Sequence, residues 1–168
     1  MPRRRIDRFL DEALVSFSGW LKANPWKGKE HDCVNLFAHG FLFPKIEPGA
    51  AIEHYTQVCI ECALRQPKGY IKPSARKDLV IWDTPYQSTW SEDWEAIRSP
   101  KAVMEWKVIR KPRSGPIFDS HDEEWISAYT KEEPERFGYV VSLDLSSNGP
   151  RIYWKQAKGG VFGEMWSA

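Results

Sequence analysis

The chain has 168 residues, a length that suits one domain burying roughly two thirds of its unfolded surface. With 24 basic against 23 acidic residues and 42% hydrophobic content, it is not a strongly basic, tail-type binder, although local patches stay open. No apolar run approaches the ~18 residues of a membrane span, and three cysteines fit reduced thiols better than a disulfide framework, so a cytoplasmic protein without membrane partners is expected.

Residues 5–22 place Ile6, Phe9, Leu10, Ala13, Leu14, Phe17, Trp20 and Leu21 at three- and four-residue spacings with charges between, which predicts a one-faced helix. NPWKGKEHD (24–32) reads as a loop. After Pro48-Gly49, residues 50–65 predict a second helix with Ile52, Tyr55, Cys59 and Cys62 on one face, ended by Pro67 and Gly69. Tyr70–Ile71 is a short candidate strand, DLVIW (78–82) a stronger one, and AVMEWKVIR (102–110) the next. SHDEEWISAYTKEE (120–133) predicts a helix opened by Ser120 with Glu123 three residues on. GYVVSLDL (138–145) and RIYWKQ (151–156) predict strands joined across SSNGP. The expected fold is α/β (α+β), a mixed central β-sheet flanked by helices.

The stretch AVMEWKVIR carries Glu105 and Lys107 on an otherwise apolar strand, where residues two apart share a face. Asp78 opens the preceding strong strand. Two carboxylates brought together on neighbouring strands repel unless a cation lies between them. Mg²⁺ suits the position, because it takes one or two carboxylates and completes its shell with water and substrate oxygens. A lysine on the same face would hold a phosphate or orient a water. The competing reading of Glu105 and Lys107 is a solvated ion pair of small energetic weight. For Asp78, and for its rival Asp83, it is ordinary strand-edge turn chemistry.

The pattern Asp78…Glu105-Trp106-Lys107 resembles the PD-(D/E)xK nuclease superfamily, whose restriction-endonuclease-like core runs helix, three-strand meander, helix, strand. The core is laid over about 49–156, with 1–48 as an N-terminal helical extension of a single domain. The resemblance implies a metal-dependent nuclease hydrolysing phosphodiester bonds in nucleic acid, with DNA the expected substrate. It implies Mg²⁺ or Mn²⁺ held by Asp78, Glu105, the backbone carbonyl of Trp106 and a carboxylate on the first core helix. Glu53, four residues after Gly49 as in archaeal Holliday junction resolvases, is the first choice for that carboxylate and Glu61 the second. Lys107 would orient the water. The family's proline before the aspartate is Lys77 here.

Candidate nucleic-acid contacts are Arg110, Lys111, Arg113, Lys155 and Lys158, with Arg3, Arg4 and Arg5, and with Trp90 or Trp94 for base stacking. A homodimer is compatible with such nucleases. The alternative function is a catalytically inactive nuclease-fold module that binds nucleic acid or protein. A third reading places zinc at Cys59 and Cys62, completed by His31, Cys33 or His39. Buried thiols acting as small hydrophobes compete with it.

Overall fold

The computed structural model describes residues 5–147 and 149–168. Arg3 and Arg4, and the Asn148 position of the SSNGP turn, lie outside the described residues. A single six-stranded sheet in the order β1-β2-β3-β4-β5-β6 forms the centre. Its strands are β1 (Val58–Arg65), β2 (Ser74–Ile81), β3 (Ala102–Ile109), β4 (Phe137–Asp144), β5 (Arg151–Lys158) and β6 (Val161–Ser167). Only β3 and β4 are parallel, joined through helix α3 (Ser120–Glu132); the other neighbours are antiparallel. This is the expected α+β architecture with a mixed sheet.

Helices α1 (Ile6–Ala23) and α2 (Glu30–Phe37) cover one face. Alternation along β3 sends Ala102, Met104 and Trp106 to that face, against Phe17 and Phe37. Val103 goes to the other face, against Trp125 and Ile126 of α3. The apolar stripe read from residues 5–22 is buried as expected, except that Trp20 is half-buried. The trace before residue 49 is more than an appendage, because it supplies one whole helical layer. Trp154 Nε1 donates to Asp11 Oδ1 at 2.9 Å and Tyr139 Oη to the Asp7 carbonyl at 3.3 Å, tying α1 to the sheet.

Four local expectations are corrected. Residues 50–65 are not a helix: 58–65 form β1, preceded by a short 3₁₀ turn at Tyr55–Gln57. Gln57 explains the change, since its Oε1 accepts from the Glu53 and His54 N–H groups and its Nε2 donates to the Trp82 carbonyl. The segment is thereby fastened to the end of β2, and Val58 to Arg65 pair along that strand. Long-range pairing overrides a helical periodicity that β-branched Val58 and Ile60 support only weakly. Tyr70 and Ile71 lie in the β1–β2 turn rather than in a strand. Ser120 is the first helical residue of α3, and Asp119 is the cap, its Oδ1 accepting from His121 N at 2.8 Å and Asp122 N at 3.4 Å. Residues 30–32, read as loop, begin α2.

Candidate active site at the fork between β2 and β3

The β2–β3 ladder is regular from Ile81↔Ala102 to Leu79↔Met104 and stops there. One step further, where Asp78 and Glu105 would face each other, side chains take over the hydrogen bonds. Asp78 Oδ2 accepts from Trp106 N at 2.7 Å, and Glu105 Oε2 accepts from Asp78 N at 3.2 Å. Beyond this point the β1–β2 hairpin peels away over α3, where Gln66 Oε1 accepts from Trp125 Nε1 at 3.0 Å and Glu132 Oε1 from Lys68 N at 2.6 Å. The two carboxylates therefore plug the open fork and satisfy backbone donors that the lost ladder would orphan.

Lys107, two residues past Glu105, reaches three groups at the open end. Its Nζ stands 3.0 Å from Asp122 Oδ2 in the first turn of α3 and 3.9 Å from Glu30 Oε2 in the first turn of α2, and it donates to the Trp106 carbonyl at 3.1 Å. It thus joins the starts of two helices from opposite layers, each placing an acid where the helix dipole favours one. Glu30, Glu61 and Asp78, with His31, Val34 and Ile60, line a cavity of about 50 Å³, room for an ion and about one water at ~30 Å³ of liquid volume per water.

Burial raises the Glu30 carboxyl, Lys107 opposes that, and Asp78 and Asp122 add to it. Burial likewise raises the Glu105 carboxyl; Lys77 pulls it back, while Asp78 and Asp122 push it further up. For Lys107, burial works downward, but Asp122 first and then Glu30 and Asp78 outweigh it, and the net shift is upward. Four carboxyl groups, Glu30, Asp78, Glu105 and Asp122, thus stand near two lysines, Lys77 and Lys107.

Opposite Asp78 in the β1–β2 register, Glu61 adopts φ 51°, a left-handed backbone that strains a residue with a Cβ. Its carboxylate lies 3.3 Å from His31 Nδ1 and 3.6 Å from Arg76 Nη1. Glu53, the first choice for a helix carboxylate, stands on no helix, because residues 50–54 do not form one; its Oε1 accepts from Gly49 N at 3.1 Å. The carboxylate that a helix does bring to Asp78 and Lys107 is Glu30. Sequence reasoning missed it, although Cys33, Val34, Phe37 and Ala38 show the helical spacing that would have placed Glu30 in a first turn.

Asp78 and Glu30 line one cavity and offer carboxylate oxygens of the kind a hard cation such as Mg²⁺ takes, which needs only one or two carboxylates; the Trp106 carbonyl accepts from Lys107. Among the described residues, no group of three or more His, Cys, Asp or Glu side chains is placed so that it could hold a metal ion. Cys33 packs in the core on the α1–α2 face and Cys62 in that on the α3 face, so the sheet separates them. His31 is engaged with Glu61.

Arg110, Lys111 and Arg113 are exposed in the loop that leaves β3 at the forked end. Lys155 is drawn to Glu123 of α3 and lies over the Phe118 ring. Lys158 is exposed, over Phe137, beside a separate cavity of about 330 Å³ that Asp83, Lys101 and Glu135 also line. Asp83 itself pairs with Arg136 and Lys101. Trp90 and Trp94 are exposed in the 83–101 connection, which joins β2 to β3 at the end away from the fork. No helix of the described residues is long and apolar enough to cross a membrane. Compared with protein-family models, curated proteins and solved structures, the chain matches none.

Proposed function

We propose that this protein is a metal-dependent nuclease of the PD-(D/E)xK type, hydrolysing phosphodiester bonds in nucleic acid, with DNA as the expected substrate. The observation that carries the reading is the β2–β3 fork, where Asp78, Glu105 and Lys107 meet Glu30 and Asp122 from two helix starts. The order of three antiparallel strands, helix and parallel strand also supports it. Asp78 and Glu30, with the Trp106 carbonyl, would hold Mg²⁺ or Mn²⁺; Glu30 takes the place expected for Glu53, and Glu105, expected as a ligand, is engaged instead by Lys77 and the Asp78 N–H. A bound divalent ion supplies a water of lowered pKa and charge stabilisation on the phosphate. Lys107, held by Asp122 and 3.9 Å from the cavity-lining Glu30, would bind a phosphate oxygen and orient the attacking water. Arg110, Lys111 and Arg113 supply backbone-phosphate contacts at the same end.

The test is cleavage of single-stranded, double-stranded and branched DNA with Mg²⁺ or Mn²⁺. The wild type should cleave, and Asp78→Asn and Lys107→Met should lose about 10²-fold or more, the scale of removing a positioned group from such a site. Cleavage equal in wild type and both variants, or none by the wild type, refutes the reading. The second reading, a binding module without catalysis, is favoured by one feature: Glu105 and Lys107 are each already paired within the chain, with Lys77 and with Asp122. Salt-dependent DNA binding with no cleavage would establish it.

A further inference from the structure

The residue before Asp78 has no role in the chemistry above. Lys77 is 4% exposed, its Nζ lies 2.5 Å from Glu105 Oε1, and it sits 4.0 Å over the Trp125 ring. Glu105 Oε2 is taken by the Asp78 N–H, so both oxygens of this carboxylate are engaged by the chain itself. Asp78 uses Oδ2 for Trp106 N–H and lines the cavity, as does Glu30. A buried ion pair adds little stability over an apolar pair of the same volume, so packing alone does not account for a lysine here.

We infer that Lys77 is a resident cation of the fork, a positioning residue whose ammonium claims Glu105 and takes the place of one divalent ion, so that the site admits a single Mg²⁺ or Mn²⁺. The ion's catalytic role rests on the nuclease reading, but the effect of Lys77 on ion binding does not. A second divalent ion at Glu105 would stand beside the Lys77 ammonium, 2.5 Å from Oε1, and the repulsion between the two cations disfavours it. The divalent ion is left to Asp78, Glu30 and the Trp106 carbonyl on the open side, while Lys77 neutralises Glu105 from the α3 side.

The test counts Mn²⁺ bound to the full, metal-stripped chain by calorimetry and by the paramagnetic resonance of free Mn²⁺. Wild type should bind one ion. Lys77→Gln, which keeps a donor to Glu105 but no charge, should bind a second ion or bind the first at least tenfold more tightly. Lys77→Arg, which keeps the charge, should behave as wild type. In the double variant K77Q/E105Q, where two amides face each other, binding should return to one ion at wild-type affinity. If Lys77→Gln and wild type each bind one ion equally well, the inference falls and the nuclease reading stands. If wild type binds none and Lys77→Gln binds one, both fall, because the native fork then admits no ion. Binding by neither overturns both. Two ions on the wild type overturn the inference, even if Lys77→Gln does not fold.

Discussion

Asp78 has one duty to the backbone and, in the proposed function, a second and separable one to the metal. Its Oδ2 accepts the Trp106 N–H inside the fork, so Asp78→Ala leaves that donor unpaired at a cost of about 1–3 kcal/mol. Asp78→Asn keeps an oxygen for the bond and should lie close to wild type in denaturant midpoint. Both variants should lose cleavage, and urea titrations run beside the activity assay will separate stability from chemistry. Equal stability of the two variants would mean the fork does not depend on this bond. The pair Asp78 and Glu105-Trp106-Lys107 was legible because charges on an apolar strand stand out against its period-two pattern. Glu30 and Asp122 were not, because a single acid in a helix's first turn looks the same whether it faces solvent or a lysine from another layer.

Elements with a clear period and end signals, α1, β3, α3, β4 and β5, follow from the sequence, and β2 does in its second half, its first residues 74–77 having carried no strand signal. β1 does not, because Ile52, Tyr55, Cys59 and Cys62 satisfy a helical spacing as well, and only the partner strand decides. β6 was missed although its signal was present. Gly159 and Gly160 have φ 59° and 84°, the two positive values of a tight hairpin turn, between Lys158 and its register partner Val161. The contact of α3 with β4 depends on another glycine: a Cβ at Gly138 would come 2.3 Å from Ile126 Cγ2. Gly138→Ala should destabilise by about 1–3 kcal/mol through overpacking, read as a lowered denaturant midpoint. An unchanged midpoint would show that α3 shifts freely.

At the scale of the whole molecule, two buried phenols join the layers. Tyr129 Oη donates to the Pro100 carbonyl at 2.5 Å, and Tyr139 Oη accepts from Gln156 Nε2 at 2.9 Å while donating to Asp7. Burial raises both above the ordinary tyrosine value. Between the unfolded and the raised folded value, the unfolded chain has lost its phenolic protons and the folded one has kept them. Stability from these groups is therefore complete below about pH 10 and falls as pH rises beyond it. The double variant Y129F/Y139F should show a shallower loss from pH 9 to 11 in denaturant unfolding, and an unchanged slope would mean the phenols ionise freely in the folded state.

The same layered construction brings Glu30 from α2 and Asp122 from α3 to the end of β3, and the proposed chemistry depends on that meeting. Crystals soaked in Mn²⁺ and measured for anomalous scattering test it most directly. A single peak bonded to Asp78 and Glu30, beside Lys107, is the expected result. Saturating Mn²⁺ with no peak at the fork, or a peak held by residues elsewhere, would contradict it.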